Sequence, residues 1–504
     1  MKREVDKYFE ENKPSAGLGR TSLVSGVTFV AARGVNIILQ VASTILLARL
    51  LSPYDFGLVA MVLALVGFAP LLIDLGTTDA STQKTHITEG DISTLFWLNL
   101  AIGVVLTVLL AGGSGLIAVV FGEPALTGIA LVSSLTFIMA AVSTQHYALM
   151  RRAMQFRHLA IIDITANVVG TLVAIAMAFT GWGYWALVAK PIVTAVLIAV
   201  GVWVSCPWVP GRPRLTPEVK ELVSFGMGVT GFTMTDYLAR SADRLALGYF
   251  YGPGPLGYFQ NAFLLYTNLL SILTEPLHNI AASGLSKLRN DVDELRRSWA
   301  TALSSVSFIS AAIFSVLAVT GQDFVVLLLG EKWAPAGPLL SIFAVRGIAH
   351  SVERTLGWLH VAAGRSDRWM RWGLFSAVCQ LVALVAGLPF GLMGVAIAYT
   401  IVMFGLFVPA LVYAGRPVGI GVRDVLPVVG PQTAAGIITV AFGFMVQQVF
   451  LADFSPLARF LVSAHISLAT YLAVAVGVFR VTGPLRLVFS LLRDFGRMRS
   501  RGSS

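Results

Sequence analysis

Apolar stretches long enough to cross a bilayer recur from Ser22 to Arg480, about fourteen of them, with short connections between. This repetition decides the solvent the chain folds in. A bilayer core offers no water, so each spanning segment must pair its own backbone groups, and a helical bundle follows. The expected class is an all-α integral membrane protein. Any ionisable residue inside it then needs a partner or a task.

The composition agrees, with 56% hydrophobic residues and only 12% charged over 504 positions. The net charge of +10 invites a nucleic-acid reading, but the basic residues sit at span ends and not on a soluble face. No nucleic-acid partner is expected. Cys206 and Cys379 lie in or beside apolar spans, and no Cys-x-x-Cys or His/Cys cluster occurs, so they read as packing residues and no metal is expected. A Gly-rich phosphate loop with a following Lys is lacking, which argues against an ATP-driven pump, and the loops are too short for a soluble catalytic pair. The chain is read as a non-enzyme without cofactors, driven by ions such as protons or sodium, by a substrate gradient or by downstream consumption. The polar first twenty residues suggest no removable signal peptide, so the first span should itself direct insertion.

The expected spans are 22–50, 54–78, 92–121, 124–150, 158–180, 182–206, 219–250, 255–283, 299–320, 334–362, 369–390, 391–414, 424–450 and 456–480. With the N-terminus inside, most of the 36 Lys and Arg fall in inner segments, while the outer connections hold only Arg49 and Lys332. The positive-inside rule therefore places both termini in the cytoplasm. Lys287 to Arg297 reads as a short surface helix. Residues 481–504 read as a basic amphipathic tail suited to anionic inner-leaflet lipids.

An internal repeat is audible. Ser52-Pro53-Tyr54-Asp55-Phe56-Gly57 and Gly252-Pro253-Gly254-Pro255-Leu256-Gly257 share an x-Pro-x-x-aromatic/Leu-Gly pattern between long spans. Gly183-Tyr184-Trp185-Ala186-Leu187-Val188 echoes Gly391-Leu392-Met393-Gly394-Val395-Ala396 at a similar offset, as do the basic inner loops at Arg151–Arg157 and Arg365–Arg371. Parallel repeats of this kind are a transporter device. They organise the chain as a tail (1–21), an N-lobe of six spans (22–206), a linker (207–218), a C-lobe of six (219–414), two further spans (415–480) and the basic tail.

Charges at membrane depth then stand out. Arg33 lies in span one. Asp236, Arg240, Asp243 and Arg244 lie in span seven, and Arg346, His350, Glu353 and Arg354 in span ten. Steps of three and four place these residues on shared helix faces. Glu275 and His278 sit in span eight, Lys190 in span six, and Asp74 toward the inner end of span two. One reading is a cationic cavity between the halves, in which Arg33, Arg240, Arg244, Arg346 and Arg354 hold a diphosphate by forked hydrogen bonds. The other is neutralisation within the helices, by Asp236–Arg240 and by Glu353 with Arg346 or Arg354. Asp236, Asp243, Glu353, Glu275 and His350 would then be charge partners or coupling groups. Asn36, Gln40, Thr233, Thr235 and Asn268 are the polar candidates for glycan hydroxyls. His146 and His360 read as interfacial packing.

Several segments resemble one family. Ala48-Arg49-Leu50-Leu51-Ser52-Pro53-Tyr54-Asp55-Phe56-Gly57-Leu58, Ile73-Asp74-Leu75-Gly76 and Ser93-Thr94-Leu95-Phe96-Trp97-Leu98-Asn99 look like the first three helices of bacterial polysaccharide transporters. Gly254 to Ala262 and Leu329-Gly330-Glu331-Lys332-Trp333-Ala334-Pro335-Ala336 fit the same group, and the likeness covers about residues 20–480. The group lies in the multidrug/oligosaccharidyl-lipid/polysaccharide exporter superfamily, beside the colanic acid and succinoglycan exporters. The stretch Glu275-Pro276-Leu277-His278 departs from it, being more polar than its counterparts. The resemblance implies two six-helix lobes around a central cavity. It also implies a flippase for polyprenyl-diphosphate-linked oligosaccharide in the bacterial inner membrane, working beside a polymerase and a chain-length regulator. A multidrug/cation antiporter of the same superfamily, and a non-transporting scaffold of a polymer-synthesis complex, are the alternatives.

Overall fold

Each helix begins or ends where the sequence supplies a cap. The computed structural model describes residues 8–9, 18–78, 81, 87–214, 234, 237, 241–287, 291–362 and 365–485; of 18–33, 275–287, 292, 361–362 and 366 the backbone alone is described. No strand occurs among the described residues.

Helix α1 (Leu18–Leu50) stops two residues before Pro53, which opens α2 (Pro53–Val66). Ser52 and Asp55 close a capping box there, each side chain bonded to the other's backbone N–H. Pro53 occupies the first turn, where its missing N–H costs nothing. The span breaks at Gly67 and resumes as α3 (Ala69–Asp74), which Leu75 ends in the left-handed region at φ 45°. The Asp74 carboxylate accepts from the backbone N–H of Thr78 (3.0 Å) and from its hydroxyl (2.6 Å). Asp74 is thus a turn-capping group. Thr88 and Asp91 repeat the capping box before α4 (Glu89–Phe121), and Gly122 at φ 69° ends it, as the outer turn motif requires. Helices α5 (Ala125–Arg152), α6 (Phe156–Phe179) and α7 (Trp185–Ser205) follow.

A helical stretch 241–251 precedes α8 (Pro253–Lys287). Then come α9 (Val292–Leu329), α10 (Ala336–Glu353), the short α11 (Leu356–Ala362), α12 (Ser366–Gly387), α13 (Gly391–Gly415), α14 (Val422–Phe450) and α15 (Pro456–Leu472), which runs on into a π-helical turn. Nine stretches among the described residues are long and apolar enough to span, one of them, Asp367–Val418, holding both α12 and α13; Gly34–Leu50 is a shorter apolar helix. The protein is a multi-pass membrane bundle of helices.

Two expectations change. Lys287–Arg297 is not a separate surface helix: Asp291 accepts from Glu294 N–H at 3.0 Å and starts α9, so Arg296 and Arg297 ride its first turns. Span nine does not end at 320, because α9 runs to Leu329. The tail from Arg486 lies outside the described residues.

The chain divides into two compact units, Met1–Gln260 and Asn261–Ser504, the boundary falling within α8. In the first unit the two repeat turns meet. A Cβ on Gly57 would fall 1.7 Å from the Pro253 carbonyl oxygen, and one on Gly257 would fall 1.9 Å from the Pro53 carbonyl oxygen. Each motif's glycine thus receives the other motif's proline carbonyl, the reciprocity expected of a two-fold contact. Leu58, Met61, Leu247, Leu256 and Phe259 are buried around it. Where the start of α4 meets the ends of α5 and α7, Tyr8 is fully buried beside Phe96, Met150, Cys206 and Trp208. There His146 stacks on Trp203, ring centroids 4.2 Å apart, and bonds the Trp208 carbonyl at 3.1 Å. His146 is a packing residue, as its position suggests.

In the second unit α14 and α15 are fastened to α9. Arg459 donates to both oxygens of Asp323 (2.8 and 3.0 Å), Gln447 donates to the same carboxylate (3.1 Å), Gln432 bonds Ser304 (3.1 Å), and Tyr471 donates to the Phe308 carbonyl (2.9 Å). Asp323 is fully buried. A buried carboxylate requires such partners, since the charge is costly to desolvate alone.

Candidate functional site

In the second unit, α10 carries the candidate charges past α8. Arg346 lies ten residues from the Ala336 end of α10, about 15 Å along the axis. It is 4% exposed. Its guanidinium lies over the Tyr399 ring of α13, 5.3 Å from the centroid, and Nη2 donates to Oε1 of Gln380 on α12 at 3.3 Å. Among the described residues its Nε has no hydrogen-bond partner. Of the two arginines offered as partners for Glu353, Arg346 is not paired with it: among the described residues no carboxylate lies within ion-pair distance of Arg346. Aromatic and amide groups hold this cation and leave donors over.

One turn on, His350 Nδ1 makes a short contact with the Tyr266 hydroxyl of α8, and His350 Nε2 lies 3.8 Å from Glu353. A phenol O–H donating to Nδ1 leaves the proton on Nε2, toward the carboxylate. Tyr266 is fully buried and stacks on Phe343 at 5.8 Å. The charges of Arg346, Glu353 and Arg354 all act on its hydroxyl. Arg354 is exposed at the break between α10 and α11. Of the three residues spaced at 346, 350 and 353, the structure brings His350 and Glu353 within 3.8 Å, and it adds Tyr266, which the sequence reading missed. Asn268 is half-buried on α8. Glu275 lies on α8, and His360, on α11, is fully buried.

In the first unit a polar stripe runs along α1. Asn36 accepts from Asn167 of α6 at 3.3 Å, Gln40 is exposed, and Ser43 accepts from Lys190 of α7 at 2.6 Å. Below it, Tyr147 of α5 donates to Asp163 of α6 at 3.1 Å, and the Asp163 carbonyl accepts from Asn167. Asp163 sits inside span five and is a second carboxylate that the sequence reading passed over. The backbone of Arg33 lies in α1, three residues before Asn36. Asp243 is buried and accepts from the Arg244 N–H at 2.7 Å, while the Arg244 guanidinium donates to Ser241 at 3.3 Å. Thr233, Thr235, Asp236 and Arg240 lie outside the described residues.

Comparison with known proteins fits this geometry. The chain is 27% identical over 387 residues to the lipopolysaccharide biosynthesis protein WzxC of Escherichia coli (strain K12), covering 76% of this chain and 79% of the relative. It is 25% identical over 346 residues to the succinoglycan biosynthesis transport protein ExoT of Rhizobium meliloti (strain 1021), covering 68% and 69%. Its fold matches that of the lipid II flippase MurJ in an inward closed conformation, with a TM-score of 0.70 at 16% identity over 90% of this chain and 99% of that one. An inward-facing multidrug transporter of the MATE family matches at 0.53 and 12% identity, over 76% and 94%. The family model described as polysaccharide biosynthesis protein matches residues 46–338, more than half of the chain, and the chain belongs to that family.

Proposed function

We propose that this protein is a flippase that moves polyprenyl-diphosphate-linked oligosaccharide repeat units across the bacterial inner membrane for exopolysaccharide synthesis. The observation that carries the reading is Arg346: a guanidinium buried within the helix bundle, with amide and aromatic partners and no carboxylate ion pair among the described residues. An unneutralised cation there is costly, and an anionic substrate offsets that cost. A guanidinium is also the donor best shaped for a diphosphate. The family membership and the two named relatives, both biosynthesis proteins for surface glycans, support the same substrate class. An antiporter for cationic drugs would want a site that leans acidic, and Arg346 argues against it.

The role of the protein is binding and reorientation, not bond making. The candidates for the diphosphate are Arg33 and Arg240 in the first unit and Arg346 in the second; those for glycan hydroxyls are Asn36 and Gln40 in the first and Asn268 in the second, and the prenyl tail stays in lipid. The bound headgroup is then exposed to the opposite side of the membrane. The Tyr266–His350–Glu353 chain, facing Arg346 and Arg354, is our candidate for proton coupling. Both termini face the cytoplasm, the basic tail rests on anionic inner-leaflet lipids, and the delivered unit passes to a polymerase and its chain-length regulator.

The test is transfer of a labelled polyprenyl-diphosphate oligosaccharide across reconstituted vesicles. Arg346→Ala and Arg33→Ala should abolish transfer at wild-type levels of inserted protein. Unchanged transfer by both variants would sink the assignment.

A further inference from the structure

Lys190 belongs to neither the arginine set nor the histidine cluster, and its surroundings call for a ligand. It lies five residues into α7, about 8 Å from the Trp185 end, inside a span. Its ammonium donates to the hydroxyl of Ser43, which is 1% exposed. Among the described residues no carboxylate lies within ion-pair distance of it. An ammonium has three N–H groups, and the hydroxyl takes one. Among the described residues nothing takes the other two donors or the charge, inside a span where an unpaired charge costs several kcal/mol.

The backbone behind it is held firmly. A Cβ on Gly170 of α6 would fall 2.4 Å from the Thr194 hydroxyl oxygen and 3.0 Å from the Lys190 carbonyl oxygen, so α6 presses directly on the turn of α7 that carries the lysine. The surface before it is polar. Asn36, Gln40 and Ser43 share one face of α1 over about 10 Å, and Gln40 is exposed although it lies mid-helix. A polar side chain exposed within a membrane bundle is costly against hydrocarbon, so it favours a water- or ligand-facing surface.

We infer that Lys190, steadied by Ser43, is an anion-binding station for the phosphate-bearing headgroup in the first unit, with the amides of Asn36, Gln40 and Asn167 lining the approach. This rests on the flippase reading and adds a site to it. Lysine suits such a role because its compact, rotatable ammonium follows a phosphate that arrives and leaves, whereas a guanidinium fork holds one geometry.

The experiment measures binding of sugar-free polyprenyl diphosphate to the purified full chain in neutral-lipid nanodiscs, for wild type, Lys190→Met, Lys190→Arg and Ser43→Ala. The prediction is a loss of at least about tenfold for K190M, the scale of one charge-assisted hydrogen bond, with K190R and S43A within a few fold of wild type and melting temperatures alike. Equal loss in K190M and S43A would overturn the proposal, since that pattern belongs to a tether between α1 and α7. Wild-type affinity in K190M would overturn it alone and leave the flippase reading standing. Failure of the wild type to bind polyprenyl diphosphate would overturn both. Equal competition by phosphatidylglycerol would also overturn it, by making the station a general lipid-headgroup site.

Discussion

Replacing Gly57 with alanine puts a methyl carbon 1.7 Å from the carbonyl oxygen of Pro253 and 2.4 Å from its carbon. An ordinary carbon–oxygen contact is about 3.3 Å, so the two turns must part by roughly 1.6 Å. Overpacking costs about 1–3 kcal/mol where flexible side chains can yield. Here the obstacle is backbone, at the first turn of α8, and its counterpart on α2 is locked by the Ser52–Asp55 box, so the upper end of that range applies. Against it stands the helix propensity that alanine gains over glycine, about 1 kcal/mol. The net expectation is destabilisation of about 2 kcal/mol, and the same for Gly257→Ala. Because a single separation of the turns makes room for both methyls, the double variant should cost clearly less than the sum. The assay is heat-induced exposure of Cys206, buried in the first unit, to a maleimide dye in detergent. Gly113→Ala in α4 is the control, since nothing lies within 4 Å of its Cβ position. A G57A protein as stable as that control, or strictly additive effects, would refute the reciprocal packing of the repeat.

Other outcomes follow from the same coordinates. Arg459→Ala should cost about 3–5 kcal/mol by leaving Asp323 buried and unpaired, loosening α14 and α15 to protease, and Asp323→Asn in the same chain should recover most of it. His350→Ala and Glu353→Gln should remove the response of transfer to an imposed proton gradient while leaving polyprenyl diphosphate binding within a few fold; a retained response would dismiss the cluster as the coupling group. Tyr8→Ala should speed labelling of Cys206 at room temperature, because both sit in one buried cluster and the Tyr8 hydroxyl donates to the Ser205 carbonyl.

Much of the fold was legible because the bilayer leaves few choices. Pro53, Gly122 and Gly252 sit at helix ends as their backbone chemistry demands, and the apolar runs between them are helices. The misjudged boundaries were polar ones. The sequence placed the end of span nine at 320, short of Asp323, yet α9 continues to Leu329, and Arg459 and Gln447 arrive from elsewhere to satisfy the carboxylate. The same blindness applies to Arg346 and Glu353. Their spacing on one helix face suggested a pair, but Gln380 and Tyr399, 34 and 53 positions later, take the arginine, and His350 takes the acid.

By itself, then, the sequence determined the solvent, the helical class, the caps and the repeat, because each follows from local backbone chemistry and the period of apolar residues. Which charge meets which partner was decided by the tertiary structure alone. An intramembrane lysine or arginine reads identically on paper whether a carboxylate or a hydroxyl faces it. Only the folded chain shows that Lys190 meets the Ser43 hydroxyl and that Arg346 meets the Gln380 amide and the Tyr399 ring.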